Sequence, residues 1–496
     1  MKMSVRVRFA PSPTGGLHIG GVRTALFNYL FAKKNNGKFI LRLEDTDRNR
    51  FVEGAEEYIV NALDWAGLTP DESPTAPGAF GPYRQSERKA LYKDELEKLI
   101  ASGKAYYAFD TQDELTAARS ESEKKGEVFK YSVHNRAKFR NAISLSKEEL
   151  ENEINKGEGV VRLKVTDGET IVVKDKIRGV IQINSDEIDD KILMKADGMP
   201  TYHFANIVDD HHMQISHVIR GEEWLPSLPL HKIIYEAFNW EVPIFMHLPL
   251  ILKPEGKGKL SKRDGYKAGF PVFPLKWEKN PGFKERGFLP EAMINYLSLL
   301  GWNPGSEQEI FSLEELINAF EIDKIQKGGA RFNFDKAKWV NHKYLENSDT
   351  ESILERFPEF FKVLPSTWSE KKRTLILSAV KERLNLLEEF ENNSRLFFED
   401  PKNYDEKVLE KIKKKDPEEI INYVIELSEK EIDPLEWKSL ITEWNEKHKY
   451  SFGVVMQSLR LAIVGNLSGP DLFLICSLLG KDVTLKRLKK FKPKLK

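Results

Sequence analysis

Two short segments of this chain carry the residue types that bind and stabilise phosphate groups. The first, Leu17-His18-Ile19-Gly20-Gly21, lies between a turn rich in proline and glycine and a stretch with helical periodicity. Glycines at a helix N-terminus let phosphates approach backbone N–H groups, and a neighbouring histidine can donate a hydrogen bond to a phosphate that gains charge. Taken alone, these residues are also explained by an ordinary helix cap beside a surface histidine.

The second segment is Lys259-Leu260-Ser261-Lys262-Arg263, which follows a glycine-bearing stretch at 254–258. Cations on such a loop can neutralise a departing pyrophosphate, which is a form of electrostatic catalysis. A solvated basic loop is the alternative explanation. Neither segment decides the function by itself.

Strand and helix patterns that alternate around the first segment indicate an α/β domain. The patterns are strands at 5–9 and 39–43 and helices at 20–32 and 58–67. This order favours a sheet of parallel strands. Antiparallel strand patterns at 159–185 indicate an insertion over roughly 105–200, and the pattern beyond about 285 is almost entirely helical.

The composition is typical of a globular protein and shows no overall bias toward a charged partner. Lys plus Arg and Asp plus Glu each total 77 in 496 residues, so the formal net charge is zero, although a local basic face is not excluded. No apolar stretch reaches the roughly 20 residues of a membrane helix, and residues 1–9 lack the apolar core of a secretory signal. The single cysteine, Cys476, excludes an intramolecular disulfide and any zinc site that needs two thiolates. These features predict a reduced, cytoplasmic protein.

Further motifs accompany the two segments in a fixed order along the chain. They are Arg8-Phe9-Ala10-Pro11-Ser12-Pro13-Thr14-Gly15, Arg42-Leu43-Glu44-Asp45-Thr46-Asp47, Gly81-Pro82-Tyr83-Arg84-Gln85-Ser86-Glu87-Arg88, Thr201-Tyr202-His203-Phe204-Ala205-Asn206, Val218-Ile219-Arg220-Gly221-Glu222-Glu223-Trp224 and Phe288-Leu289-Pro290-Glu291-Ala292. In this combination the chain resembles the class I aminoacyl-tRNA synthetases, and within that class the bacterial glutamyl-tRNA synthetases. The resemblance is close from residue 5 to about residue 344 and continues as general architecture to the end.

The resemblance implies a role for each matching residue. It places His18, Gly20, Lys259 and Lys262 in catalysis, and it assigns ATP binding to His18, Gly20, Glu223, Leu250, Ile251 and Lys262. The resemblance also implies a glutamate pocket formed by Arg8, Ala10, Ser12, Glu44, Tyr202, Asn206, Arg220 and Trp224. The charges agree, because glutamate brings two carboxylates and one ammonium and therefore needs two cations and one anion. We assign Glu44 to the ammonium and Arg8 and Arg220 to the carboxylates, with Arg220 reading the side chain.

The implied fold is an α/β Rossmann-type class I synthetase catalytic domain with an α+β insertion and an all-α C-terminal anticodon-binding region. The predicted parts are the first catalytic half at 1–105, an acceptor-stem-binding insertion at 106–200, the second catalytic half at 201–250, a stem-contact subdomain with the Lys259 loop at 251–330, and helical anticodon-binding domains at 331–496. The implied reaction joins L-glutamate to tRNA(Glu) through a glutamyl-adenylate. It uses ATP with Mg²⁺, requires bound tRNA for activation, and needs no metal held by the protein. The family expectation is a monomer.

Two stretches depart from the family pattern. Many relatives bind a structural zinc in the insertion through a Cys-x-Cys and a later Cys-x-His, but the matching stretch here is Ala105-Tyr106-Tyr107-Ala108-Phe109. We therefore predict no zinc, with apolar packing of Tyr107 and Phe109 in its place. Residues 264–285 are longer than the usual connection after the Lys259 loop. We interpret them as a packed surface insertion near the tRNA-facing side, with no role assigned.

Several alternatives stay open at the level of sequence. A small-molecule nucleotidyltransferase also places a related histidine motif on a Rossmann-like sheet, and a synthetase-derived protein can bind tRNA without catalysis. The neighbouring His211, His212 and His217 favour structural roles over a metal site, because no thiolate supports them. The basic C-terminal run after residue 485 fits a solvated tail or a phosphate-contacting arm. The sequence does not decide whether tRNA(Gln) is also charged, and it does not identify the anticodon-reading residues.

Overall fold

The computed structural model describes residues 4–47, 50–157, 159–430 and 432–495, and the chain divides into two compact units. The first unit contains Met1–Phe283 and Met293–Phe334, and the second contains Lys284–Ala292 and Asp335–Lys496. The strands are β1 Arg6–Phe9, β2 Lys38–Leu41, β3 Ala105–Ala108, β4 Val160–Leu163, β5 Thr170–Asp175, β6 Gly179–Asn184, β7 Ile192–Met194, β8 His217–Gly221, β9 Ile244–Leu248, β10 Ile251–Leu252 and β11 Ala330–Arg331.

The α-helices confirm the predicted change from mixed to helical structure along the chain. The helices up to the Lys259 loop and just beyond it are α1 Ile19–Lys34, α2 Ala55–Trp65, α3 Lys89–Ala101, α4 Gln112–Lys124, α5 Lys147–Lys156, α6 Tyr202–His212, α7 Leu228–Ala237 and α8 Lys262–Ala268. Those that follow are α9 Pro290–Ser298, α10 Leu313–Ala319, α11 Phe334–Asn347, α12 Thr350–Arg356, α13 Glu370–Lys381, α14 Phe390–Ser394, α15 Glu406–Lys413, α16 Glu418–Glu429, α17 Trp437–His448, α18 Phe452–Val464, α19 Leu472–Leu479 and α20 Lys481–Phe491. None of the described helices is long and apolar enough to cross a membrane.

The strands that carry the sequence motifs pair in parallel, as the alternation of strands and helices predicts. In β1 and β2, Arg8 lies opposite Ile40, and in β8 and β9, Arg220 lies opposite His247. The backbone amide of Ser216 donates to the Arg6 carbonyl at 3.0 Å, which places β8 beside β1. The strands are nearly continuous runs of buried residues, which is typical of a parallel sheet covered on both faces.

The insertion adds strands to the same region. One sheet has the order β6-β5-β9-β8, and its β5 runs parallel to β9 with Asp175 opposite Phe245. A separate antiparallel sheet has the order β3-β4-β7. The antiparallel pairing expected at 159–185 is confirmed between β5 and β6. The division into five domains stays a prediction. The sheet β6-β5-β9-β8 contains strands on both sides of the predicted boundary at residue 200.

Aromatic side chains fill the stretch where many relatives hold zinc. The rings of Tyr107 and Phe109 stack with centroids 6.2 Å apart. The Phe109 ring also covers Gly159, where a Cβ atom would come within 2.6 Å of it. The packing predicted for this stretch is therefore present, while the absence of zinc stays a prediction.

The second unit is helical over its described residues, and its basic C-terminal run is part of the packed structure. Helix α20 buries Leu488 and Phe491, so this part of the run is not a free solvated tail, while its contact with phosphates stays a prediction. Arg487, only 1 % exposed, donates to the backbone carbonyls of Leu396 at 2.8 Å and Ile463 at 2.9 Å. Lysines of the same run pair with acidic residues of this unit: Lys486 with Asp400, Lys489 with Glu429 and Lys492 with Glu418.

Candidate active site

All of the residues predicted for the site line one cavity of about 580 Å³ in the first unit. They are Arg8, Ala10, Ser12, His18, Gly20, Glu44, Tyr202, Asn206, Arg220, Glu223, Trp224, Leu250, Ile251, Lys259 and Lys262. The segments after β1, β2, β8 and β9 contribute most of this lining. The cavity therefore lies at the carboxyl ends of parallel strands, where α/β proteins generally bind their ligands.

His18 forms the N-terminal cap of α1, lines the cavity, and leaves one buried ring nitrogen without a partner among the described residues. Its Nδ1 accepts a hydrogen bond from the Gly20 amide at 3.1 Å, so the neutral ring carries its proton on Nε2. Nε2 has no hydrogen-bond partner among the described residues. Burial, with the nearby Lys259 and Lys262 cations, lowers the pKa of His18 to about 4. The imidazole is therefore neutral at pH 7 and can donate from Nε2 to a phosphate oxygen.

The Lys259 loop presents two cations with different surroundings. Lys259 Nζ is 2.8 Å from Glu223 Oε1, which ties the loop to the end of β8. Lys262 begins α8, whose cap is formed by Ser261 and Asp264 in a reciprocal capping box. The Lys262 ammonium has no acidic partner among the described residues and lies 5.2 Å from the centroid of the Phe273 ring. Of the two loop cations that line the cavity, Lys262 is thus the one without a carboxylate partner among the described residues.

Arg8 reaches the cavity from β1 but is already engaged by a carboxylate. Its Nε and Nη2 donate to the two oxygens of Asp210 at 2.9 and 3.1 Å, and Nη2 is 3.4 Å from Asn206 Oδ1. Nη1 has no protein partner among the described residues, so it is the atom of Arg8 that remains for a ligand. Asp210 also accepts from Arg42 Nη1 at 2.7 Å.

Glu44 lies in the same network. Its Oε1 accepts from Asn206 Nδ2 at 2.8 Å and from Arg42 Nη2 at 3.3 Å, and the residue is 6 % exposed. Burial raises the pKa of Glu44, although Arg42, Arg8 and the Asn206 amide act in the opposite direction. An ammonium group in the cavity would add a further charge that favours the carboxylate form.

Arg220 is a buried arginine of the cavity whose described partners are all neutral, as are those of Arg23. Its Nε donates to His247 Nε2 at 2.9 Å. Nη1 is 3.4 Å from both Tyr202 Oη and His231 Nδ1, and Nη2 is 3.4 Å from the Trp224 carbonyl oxygen. The residue is 5 % exposed. A buried guanidinium without a carboxylate is costly, and an anionic ligand would remove that cost.

Several buried charges near the cavity compensate one another. The cations Arg8, Arg42 and Arg88 are paired with the carboxylates Glu44, Asp209 and Asp210. Arg220 lies outside these pairs, and burial together with repulsion from Arg8 lowers its pKa. Zwitterionic glutamate carries one net negative charge, which would compensate that of Arg220. Glutamine carries no net charge and would leave Arg220 uncompensated.

Comparison with known proteins identifies the family. Residues 4–339 match the family described as tRNA synthetases class I (E and Q), catalytic domain, and residues 341–492 match an anticodon binding domain. The chain is 51% identical to the glutamate–tRNA ligase of Christiangramia forsetii over 99% of each chain, and 50% identical to that of Flavobacterium johnsoniae over 99% of each chain. A crystal structure of a glutamate tRNA ligase from Elizabethkingia meningosepticum in complex with its amino acid superposes with a TM-score of 0.94 at 47% identity, covering 99% of this chain and 100% of that one.

The chain belongs to the glutamate–tRNA ligases. This membership confirms the predicted enzyme class, reaction and fold, namely a class I catalytic domain followed by a mostly helical anticodon-binding region. It also excludes the alternative hypothesis of a small-molecule nucleotidyltransferase.

Several residues that build the site of this glutamate–tRNA ligase were not found by sequence reasoning. Asp210 connects Arg8 to Arg42, and Asp175 with His247 lies behind Arg220. The sequence does hold one signal for Asp210: Asp209-Asp210 follows the apolar residues of α6, and both acids are completely buried or nearly so. An acidic pair on an apolar helix face indicates buried cationic partners.

The neighbouring histidines do not form a metal site within the described part of the chain. His211 stacks on Trp240 with centroids 3.7 Å apart, and His212 Nε2 lies 2.9 Å from Glu95 Oε1. His217 Nδ1 is 2.8 Å from Ser216 Oγ. Each ring thus has its own structural partner.

The segment 270–283 is packed, as predicted for the longer connection, and it packs against the active-site loop. The Val272 carbonyl accepts from the Ile19 amide at 2.9 Å, at the first turn of α1. The Trp277 side chain covers Gly16 so closely that a Cβ atom there would lie 2.5 Å from Cγ of the indole. Trp277 also stacks edge-on against Tyr58 with centroids 4.9 Å apart. The segment therefore supports the loop that carries His18.

Trp277→Ala is expected to slow glutamate activation without weakening glutamate binding. Loss of the indole leaves the loop at Gly16 less well positioned, and misplacement of the phosphate-binding groups lowers kcat. We expect kcat of ATP–pyrophosphate exchange to fall about tenfold, with the KM for glutamate unchanged. Trp277→Phe should retain most of the rate, and Lys279→Ala, an exposed change in the same segment, should retain all of it. A wild-type rate for the alanine variant would contradict the supporting role.

Proposed function

We propose that the chain activates L-glutamate with ATP to give glutamyl-adenylate and pyrophosphate, and then transfers the glutamyl group to the 3′-terminal adenosine of tRNA(Glu). The observation that carries the amino-acid assignment is Arg220, a buried guanidinium that faces the cavity without a carboxylate partner among the described residues. Arg8 Nη1 and the Glu44 carboxylate supply the second cation and the anion that glutamate requires.

In the first step an oxygen of the glutamate α-carboxylate attacks the α-phosphorus of ATP, and the bond from that phosphorus to the β-phosphate bridging oxygen breaks. The electron pair of the broken bond leaves with pyrophosphate. Charge grows on the phosphate oxygens, which the Nε2 proton of His18 and the Lys262 ammonium are placed to stabilise. No side chain is required as a nucleophile, so catalysis consists of positioning and charge stabilisation.

Gly20 has a steric role in this proposal. A Cβ atom on Gly20 would meet only His18 Nδ1, at 3.4 Å, so the protein itself would tolerate a side chain there. Such a side chain would instead occupy the cavity that Gly20 lines. Glu223, Leu250 and Ile251 line the same cavity, and we assign them to the nucleoside of ATP.

Magnesium enters this reaction with ATP, where it offsets the charge of the phosphates. In the described residues, the group of three side chains able to hold a metal ion is His134, Asp167 and Asp186, and none of the three lines the cavity. The cysteine-based zinc site of many relatives does not fit the insertion, because the sequence has one cysteine and it lies at 476. We therefore assign no metal to protein ligands.

In the second step the 2′-hydroxyl of the terminal adenosine attacks the carbonyl carbon of the mixed anhydride, and AMP leaves. We propose that activation depends on bound tRNA, because family members couple the two and this chain carries an anticodon binding domain at 341–492. The monomeric state, the cytoplasmic location and the choice between tRNA(Glu) alone and both tRNAs stay predictions.

A charging assay tests the proposal. Purified chain is incubated with ATP, Mg²⁺, labelled glutamate or glutamine, and transcripts of tRNA(Glu) or tRNA(Gln). We expect label on tRNA(Glu) from glutamate and none from glutamine. Label on both tRNAs from glutamate would broaden the tRNA specificity, whereas absence of charging by folded protein would contradict the proposed function.

A further inference from the structure

A buried hydrogen-bond chain lies behind Arg220, and its two other members, His247 and Asp175, do not line the cavity. Arg220, His247 and Asp175 come from three adjacent strands of one sheet, β8, β9 and β5. Arg220 Nε donates to His247 Nε2 at 2.9 Å, and His247 Nδ1 lies 2.7 Å from Asp175 Oδ2. His247 and Asp175 are 0 % and 4 % exposed, so solvent does not replace either bond.

The direction of these hydrogen bonds is fixed by the chemistry of arginine. A guanidinium can only donate, so His247 must offer a lone pair at Nε2 and carry its proton at Nδ1. Asp175 is the acceptor for that proton. Burial opposes ionisation of Asp175, but hydrogen bonds from His247 and from the Arg178 and Ile177 amides outweigh it and lower its pKa.

This single bond from Nε is the only short hydrogen bond that Arg220 makes among the described residues. The other contacts of its guanidinium, to Tyr202, His231 and Trp224, are all at 3.4 Å. Weak contacts of that length leave the orientation of the guanidinium plane poorly defined. The 2.9 Å bond to the His247 ring, which Asp175 holds in place, defines that orientation.

We propose that Asp175 and His247 are positioning residues for glutamate specificity, which hold Arg220 so that both Nη groups face the side-chain carboxylate of the substrate. The proposal rests on the assignment of Arg220 to that carboxylate under the proposed function. A carboxylate accepts both N–H bonds of a guanidinium fork. The amide of glutamine offers one acceptor and turns N–H groups toward the other donor. A guanidinium held in a fixed orientation therefore discriminates between glutamate and glutamine more strongly than a mobile one.

The arrangement works only while His247 is neutral. The charged or titratable groups around its ring and backbone are Asp175 on β5, Arg178 just after β5, Arg220 on β8 and His231 on α7. Burial, with repulsion from Arg220 and Arg178, lowers the pKa of His247, while Asp175 acts to raise it. Protonation at low pH would place an N–H on Nε2 against the N–H of Arg220. We therefore expect the KM for glutamate to rise as the pH falls through the lowered pKa.

The test measures ATP–pyrophosphate exchange with tRNA present, for wild type, His247→Leu and His247→Gln between pH 5.5 and 8. Leucine removes the acceptor, and we expect the KM for glutamate to rise about 10- to 100-fold, the preference for glutamate over glutamine to fall, and the KM for ATP to change less than about twofold. The glutamine side chain offers an oxygen to Arg220 and an N–H to Asp175 but does not titrate. His247→Gln should therefore stay close to wild type at pH 8 and lose the rise of KM at low pH.

A double variant and a substitute variant test the proposal further. In an Arg220→Leu background, His247→Leu should add no further increase in the KM for glutamate, because the positioned group is gone. If His247→Leu does not fold, Asp175→Asn takes its place, because loss of the carboxylate removes the group that fixes the His247 tautomer, and a wild-type KM and preference for glutamate in that folded variant would overturn the proposal. A wild-type KM and preference in folded His247→Leu would also overturn it. Absence of glutamate-dependent exchange in wild type would instead contradict the proposed function.

Discussion

Arg220→Leu is expected to lower kcat/KM for glutamate by about 1,000-fold, or about 4 kcal/mol of transition-state stabilisation. The guanidinium is buried, and the buried cations Arg8, Arg42 and Arg88 already have carboxylate partners. Leucine keeps much of the side-chain volume but leaves the γ-carboxylate of glutamate in a low-dielectric cavity without its cation. Exchange measured over a range of glutamate concentrations gives the effect.

The same variant should also lose discrimination against glutamine. Under the proposed function, wild type rejects glutamine because the neutral amide leaves Arg220 unpaired, and we expect leucine to remove that penalty. We expect the ratio of kcat/KM for glutamate to that for glutamine to fall by at least about 100-fold, with the KM for ATP nearly unchanged. Arg119→Leu, an exposed change on α4, is the matched control. If Arg220→Leu retained both the rate and the preference for glutamate over glutamine, Arg220 would not be the residue that binds the substrate side chain.

Lys262→Ala is expected to lower kcat of exchange by about 100- to 1,000-fold, with a much smaller change in the KM for glutamate. The ammonium stabilises charge that grows on the phosphates as pyrophosphate leaves, so its loss is felt mainly in the transition state. The measurement is exchange at saturating glutamate over a range of ATP concentrations.

Two lysines of the same loop provide comparisons for that experiment. Lys257→Ala removes an exposed charge that does not line the cavity and should leave kcat unchanged. Lys259→Ala should have a smaller effect than Lys262→Ala, because Lys259 is partly neutralised by Glu223. An equal loss in all three variants would indicate a general effect of loop charge instead of a specific role for Lys262.

The residues that line the cavity could be predicted because they lie in short motifs at the ends of strands and in the turns that follow them. Arg8, Glu44 and Arg220 each belong to a contiguous motif, so the parallel sheet brings them to one edge once the fold is known. Their motifs also resemble those of a known family along the whole catalytic part of the chain.

The residues behind them could not be predicted, because they depend on long-range pairing. Asp175 reaches His247 only because β5, in the insertion, adds to the sheet beside β9. No local pattern in residues 170–175 indicates that partner. The packing of Trp277 on Gly16 joins positions far apart in the sequence, and the periodicity of neither segment reveals it.

Glutamate-dependent ATP–pyrophosphate exchange, measured with and without tRNA and with glutamine in parallel, tests the central claim most directly. The account predicts exchange with glutamate, none with glutamine, and a strong requirement for tRNA. Exchange at full rate without tRNA would contradict the coupling of activation to tRNA binding. Exchange with glutamine as fast as with glutamate would contradict the assignment of the cavity, and absence of exchange in folded protein with tRNA(Glu) would contradict glutamate activation itself.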